Sequence, residues 1–202
     1  MKRLTFEEGL RLFETDLFEL GRAADEVRRR LHPEGYVTFV RDRIINYTNV
    51  CVANCRFCAF YRPPGHEEGY VRSREEIFRK VEEMLRVGGT TLMLQGGHNP
   101  ELTIAYYEDL FSAIKARWPD LYLHCLTASE VDHIAHVSGL SLEEALRRLQ
   151  QAGLDSLPGG GAEMLVDEVR QRVSPLKTSA DRWLEVHETA HRLGIESTAT
   201  MV

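Results

Sequence analysis

Ile44-Ile45-Asn46-Tyr47-Thr48-Asn49-Val50-Cys51-Val52-Ala53-Asn54-Cys55-Arg56-Phe57-Cys58 is the stretch around which the rest of the chain is organised. Its first half, Ile44 to Val50, is rich in β-branched and aromatic residues and predicts a strand that runs straight into Cys51. Its second half spaces three thiols as Cys-x-x-x-Cys-x-x-Cys on a loop short enough to wrap one compact inorganic core. Three is the informative number. A four-iron cubane held by four cysteines is coordinatively closed and suits electron transfer, whereas one held by Cys51, Cys55 and Cys58 keeps an iron open to a ligand. A structural zinc site completed by His66 is the alternative, but zinc ribbons collect ligands as two separated pairs and no second cysteine pair exists. Cys125, alone in a predicted strand, reads as a small buried hydrophobe.

Outward from the cysteines, strands and helices alternate. Ser73 and Glu76 form a capping box for a helix with Ile77, Val81, Met84 and Leu85 on one side. Thr91 to Leu94 then predicts a strand ending at Gln95-Gly96-Gly97, and helix follows from about Thr103 to Trp118. Leu121 to Leu126 is the next strand, helix returns from Ser129 to Val137, and Ser141 with Glu144 caps another helix up to Gly153. Leu154 to Leu157 reads as strand. Gly159-Gly160-Gly161 introduces a helix through Arg170, a further helix spans about Ser179 to Leu193, and Ile195 to Met201 begins a fifth strand. Strands that alternate with helices pair in parallel, because each helix returns the chain to the same end of the sheet. The expected class is therefore α/β, a partial parallel (β/α) barrel, with an open doubly wound sheet as the alternative. Its glycine-rich and polar segments all follow strands, where barrel enzymes keep their chemistry.

Before the cysteine strand, Thr5 with Glu8 makes a capping box, and Leu17, Leu20, Ala24, Val27 and Leu31 mark an apolar face. Tyr36 to Val40 reads as a short extra strand. The expected division is a helical segment over 1–34 and a barrel core over 35–202. Because the final predicted strand has no helix to cover it, and closed barrels take about 250 residues, the chain reads as part of a longer protein.

The 202 residues include 31 acidic and 25 basic ones, a net charge of −6, which is the wrong sign for a phosphate-backbone partner. No apolar run approaches the roughly 20 residues of a membrane span. The N-terminus lacks a signal-peptide core, and the expected location is cytoplasmic.

Cys51-x-x-x-Cys55-x-Phe57-Cys58 after the first barrel strand resembles the signature of the radical S-adenosylmethionine superfamily. Asn46-Tyr47-Thr48-Asn49, Cys58-Ala59-Phe60-Tyr61-Arg62, Gln95-Gly96-Gly97, Ser156-Leu157-Pro158-Gly159-Gly160-Gly161-Ala162-Glu163 and Ser174-Pro175 followed by Lys177 add to it. Together they are similar to the cyclases acting on dehypoxanthine futalosine in the futalosine route to menaquinone, with the aminofutalosine synthases next. That resemblance implies a [4Fe-4S] cluster on the three cysteines, S-adenosylmethionine at its open iron, dehypoxanthine futalosine as substrate, and a flavodoxin-like or ferredoxin-like electron donor. It implies that Gln95, Gly96 and Gly97 receive the methionyl ammonium. Phe57 and Phe60, beside Tyr61, lie where relatives contact the adenine. Thr127, Ser129 and Glu130 follow the third strand, while Arg170 and Lys177 are candidates for the methionyl carboxylate. Glu130 and His98, the latter standing where many relatives have an acid, are the candidate catalytic groups.

One motif competes. His187-Glu188-Thr189-Ala190-His191 reads as the helical H-E-x-x-H of zinc peptidases. Ser197 stands where the next ligand would fall, and Trp183, Val186, Ala190 and Leu193 give this helix an ordinary core-facing stripe.

Overall fold

A computed structural model of the chain describes residues 3–201. Two compact units result, one ending at Phe39 and one beginning at Val40. The first holds α1 (Phe6–Leu12), with the Thr5–Glu8 capping box, and α2 (Leu17–Leu31), whose Asp16 side chain accepts from the Phe18 and Glu19 amides. No residue of either helix is buried. The strand expected at Tyr36 to Val40 is absent, and these residues run as irregular chain.

The second unit runs β1 (Asp42–Asn46), α3 (Arg74–Arg86), β2 (Thr91–Gln95), α4 (Ile104–Arg117), β3 (Tyr122–Leu123), α5 (Ala128–Ser138), α6 (Leu142–Ala152), β4 (Ser156–Leu157), α7 (Asp167–Val173), α8 (Ala180–Arg192) and β5 (Glu196–Ser197). β1 pairs in parallel with β2 and β2 with β3, so that Asp42 faces Thr91 and Thr91 faces Tyr122. β4 pairs in parallel with β5, and a single parallel bridge from His124 to Ser156 continues the order between the two sheets. Spatial order thus follows chain order with no reversal, which excludes the doubly wound alternative, whose sheet changes direction at a switch point.

Alternation along the strands shows which face the helices cover. Ile45, Leu92, Leu94, Leu123, Cys125 and Leu157 are fully buried or nearly so, packed with Phe111 and Ile114 of α4, Val131 and Ile134 of α5 and Leu146 of α6. Their neighbours Ile44 and Tyr122 are exposed and face the other side. A sheet wound in one direction and covered on one face is an arc of a β/α barrel, its concave side carrying Asn46, Gln95 and His124.

Several strands are shorter than their sequence suggests, for local reasons. Beyond Asn46 the chain keeps two backbone bonds to the end of β2 and its extension, Tyr47 to the Gln95 carbonyl at 3.3 Å and Gly97 to the Thr48 carbonyl at 3.1 Å, and also takes up a loop: Thr48 Oγ1 donates to the Tyr70 carbonyl at 2.7 Å and Asn49 Oδ1 accepts the Tyr70 amide at 2.8 Å. At β3 the Leu123 amide donates to the Asp155 carboxylate at 2.7 Å, which Lys115 also holds at 2.7 Å. Leu126 then adopts φ 61, a left-handed conformation rare for a branched residue, and turns the chain into the Thr127 cap of α5. The last predicted strand is ordered as strand only at Glu196–Ser197. No described helix is long and apolar enough to cross a membrane.

Candidate active site

The C-terminal ends of β1 and β2, the loop after each, and the loop after β4 enclose a cavity of about 260 Å³. Cys51, Cys55 and Cys58 all line it, each as a free thiol. Their loop is laced in place: the Cys51 amide donates to the Arg62 carbonyl at 2.9 Å, the Cys58 amide to the Cys55 carbonyl at 3.1 Å, and the Arg56 amide to the Val173 carbonyl at 2.8 Å. The Ala53 amide donates to Cys51 Sγ, 3.4 Å away. Burial pushes the Cys55 thiol up, and the nearby Lys177 charge opposes that shift. Among the described residues no three His, Cys, Asp or Glu side chains converge as ligands of a single ion. A cubane asks for something different, since each thiolate binds a different iron. His66 lies off the cavity, its Nδ1 accepting the Glu68 amide at 3.1 Å, so it does not complete a zinc site.

Gln95, Gly96, Gly97 and His98 form another part of the cavity wall, with Gly97 packed against Cys51. The two glycines are required by close approach. A Cβ on Gly96 would stand 2.6 Å from the Tyr47 ring, and one on Gly97 would meet the Val50 carbonyl and lie 2.8 Å from Cys51 Cβ. Glycine here therefore lets β2 press against the first residues of the cysteine loop. His98 stacks on His133 with ring centroids 5.0 Å apart, and burial, with His133 and Lys177 adding to it, pulls its imidazole down to about 3. It is a neutral ring across the physiological range.

Glu130 lines the cavity but is fully engaged. Its Oε1 accepts Tyr47 O–H at 2.9 Å and the Gly96 amide at 2.8 Å, and its Oε2 accepts the Thr127 amide at 2.8 Å and hydroxyl at 2.9 Å. Because the one Tyr47 proton goes to Glu130, the 3.1 Å contact between Tyr47 and Tyr107 is a bond that Tyr107 donates. Burial raises the carboxyl pKa and the four donors oppose it, leaving neither oxygen available to take a substrate proton.

Phe57, Phe60 and Thr127 also line the cavity, with Tyr61 and Tyr70. Lys177 does too, 2.8 Å from Glu163 and with its ammonium 6.0 Å from the Phe57 ring centre. Two expected residues stand elsewhere. The Arg170 guanidinium is buried and donates to the carbonyls of Gly161, Ala162, Met164 and Thr178, so it braces the glycine-rich loop. Ser129 is buried beneath Gly161, its hydroxyl without a hydrogen-bond partner among the described residues, and it does not line the cavity. The helix expected directly after Gly161 begins only at Asp167, so no helix terminus faces a ligand there.

Sequence reasoning passed over Tyr47 and Tyr70 as site residues. Tyr47 was visible as part of Asn46-Tyr47-Thr48-Asn49, but only its contacts reveal a buried hub. Tyr70 arrives through a loop without periodicity, and nothing in the sequence marks it. The H-E-x-x-H motif dissolves in α8. His187 is buried against Trp183 with centroids 4.0 Å apart, and His191 Nε2 pairs with Ser197 Oγ at 2.8 Å.

Comparison with known proteins agrees with this geometry. Over all 202 residues the chain is 50% identical to cyclic dehypoxanthine futalosine synthase of Halalkalibacterium halodurans, covering 55% of that protein. It is 42% identical over its full length to aminodeoxyfutalosine synthase of Thermus thermophilus, covering 54% of it. The chain thus spans about half the length of the curated relatives it matches. In fold it is similar to HydG, a maturase of the [FeFe]-hydrogenase, with a TM-score of 0.72 at 20% identity over the whole chain and 43% of HydG. The family described as the Radical SAM superfamily matches residues 45–202, from the strand before the cysteines onward, and the chain belongs to it.

Proposed function

We propose that this chain is the cluster- and S-adenosylmethionine-binding part of a cyclase that converts dehypoxanthine futalosine to its cyclic product. The observation that carries the reading is the meeting of three free thiols and the Gln95-Gly96-Gly97 wall in one cavity at the C-terminal end of the strands. When bound there, a [4Fe-4S] cluster and S-adenosylmethionine supply the 5′-deoxyadenosyl radical that removes a substrate hydrogen.

This chain's residues hold and shield those groups. Cys51, Cys55 and Cys58 are the cluster ligands. Lys177 spends one of its three N–H donors on Glu163, and the other two remain for the methionyl carboxylate. Phe57, Phe60, Tyr61 and Tyr70 offer aromatic faces to the adenine and keep water from it. His98, lining the cavity and held neutral with its imidazole pulled down to about 3, serves as part of the cavity wall and not as a proton acceptor. An external flavodoxin-like or ferredoxin-like carrier supplies the electron. A reducing cytoplasm suits the free thiols.

Anaerobic turnover of the whole protein tests the substrate. With S-adenosylmethionine, a reductant and dehypoxanthine futalosine, deoxyadenosine and cyclised product are expected in equal amounts. Deoxyadenosine without cyclisation rejects the substrate while keeping the family. The second reading, aminofutalosine synthase, rests on the 42% identity to the Thermus protein and loses to the 50% match.

A further inference from the structure

The concave side of the sheet carries a second hollow, of about 240 Å³, toward the N-terminal ends of the strands. Thr91, Tyr122, Ser156 and Glu196, each the first residue of its strand, line it together with His124 and Thr198. Continuing the β2–β3 register sets His124 beside Met93, two residues or roughly 7 Å below Gln95 along the strand. Thr198 Oγ1 accepts the Gly159 amide at 2.9 Å, and the next residue, Gly160, lines the cavity that holds the thiols. The two spaces therefore lie one below the other on the same face, with the loop after β4 as a shared wall.

His124 and Ser156 form the polar centre of this hollow, with Nδ1 2.6 Å from Oγ. Their side-chain bond is not needed to join β3 to β4. The backbone already does that, since the Cys125 amide donates to the Ser156 carbonyl at 3.0 Å and the Asp155 amide to the Leu123 carbonyl at 3.1 Å. Leu123 and Cys125 are fully buried under the helices, so His124 between them stands on the concave face. Its Nε2 has no partner among the described residues. The Ser156 bond fixes what that nitrogen can do: a hydroxyl donating to Nδ1 leaves Nε2–H as a donor, and Nδ1–H donating leaves Nε2 as an acceptor.

A ligand hydroxyl satisfies either tautomer, because it both donates and accepts. A ligand carboxylate does not suit the hollow. Its lining residues include the Glu196 carboxylate and no lysine or arginine, and the Asp42 charge also reaches His124, whose imidazole burial holds below the usual histidine range. The chemistry on offer is that of a neutral, hydroxyl-bearing group. We infer that His124, oriented by Ser156, binds a hydroxyl of the ribose portion of the substrate in this lower hollow. This deepens the proposed function and rests on it.

The test uses the whole protein, loaded anaerobically with iron and sulfide and given S-adenosylmethionine without reductant, so that binding is measured without turnover. Equilibrium dialysis gives dissociation constants for dehypoxanthine futalosine and for analogues that each lack one ribose hydroxyl. His124→Ala is expected to bind the parent compound roughly tenfold more weakly, with S-adenosylmethionine affinity unchanged. One analogue should lose a similar factor on wild type and nothing further on His124→Ala, where the bond it lacks is already gone. Parent affinity unchanged in His124→Ala overturns the inference, as does an analogue penalty equal in both proteins. A matching loss of S-adenosylmethionine affinity overturns it too, because it marks a general structural role. Should His124→Ala fail to fold, the same cycle with Ser156→Ala decides: a smaller penalty than in wild type supports the site, and an unchanged one overturns it. Wild type that binds the parent and every analogue alike refutes this inference alone. Wild type that does not bind the parent refutes the substrate reading, and the inference falls with it.

Discussion

Cys55→Ala will leave the whole protein folded but without its iron–sulfur chromophore, and deoxyadenosine formation will fall to background. The effect is expected to be all-or-none because a cubane with two protein thiolates has lost the chelate that retains it. Cys51→Ala and Cys58→Ala should behave alike. The discriminating control is the fourth cysteine. Cys125 is fully buried in the core, with its Sγ 3.4 Å from the Leu92 carbonyl, and it lies outside the cavity. Cys125→Ala should keep iron content and turnover and lose roughly 1 kcal/mol of stability, read from a denaturation midpoint. Equal iron loss from both variants would show that the thiols are not divided between ligand and core roles as the structure divides them.

Gly97→Ala is expected to have the second largest effect. The added methyl would run into the Val50 carbonyl and Cys51 Cβ, atoms of the backbone and of a ligand residue, so no flexible side-chain end can move aside. Either the end of β2 or the start of the cysteine loop must shift. A loss of about 1–3 kcal/mol in stability is expected, together with weaker cluster retention during gel filtration. Gly21→Ala, in α2 where nothing lies within 4 Å of the added atom, should instead gain roughly 0.5–1 kcal/mol from helix propensity. If Gly97→Ala retains cluster and stability like wild type, the close approach of the two segments is not what the glycine serves.

The helices were the most legible part of the chain, because their caps are local: Thr5, Ser73, Thr127, Ser141 and Ser179 each accept from an amide in the first turn. Strand identity was legible for the same reason of pattern, but strand length was not. Near the strand ends Asp155 takes the Leu123 amide and the Tyr70 backbone binds Thr48 and Asn49, and both partners are remote in sequence. The apolar run Tyr36 to Val40 had strand composition but finds no ladder partner among the described residues. In the site, spacing alone exposed the cysteines and the glycine pair. Arg170 shows the limit of reading charges from sequence. A cation near a glycine-rich loop looks like an anion receptor, yet this one satisfies four backbone carbonyls whose need for donors arises only once the loop is folded. Glu130 was conspicuous as an acid after a strand, but its four donors sit on residues up to 83 positions away.

The most direct test of the central claim is the iron-57 Mössbauer spectrum of the anaerobically loaded protein, recorded before and after addition of S-adenosylmethionine. A cubane on Cys51, Cys55 and Cys58 predicts that a single iron site changes its isomer shift on addition while the others stay as they were. A spectrum indifferent to S-adenosylmethionine, or one without any cubane signal, would contradict the account.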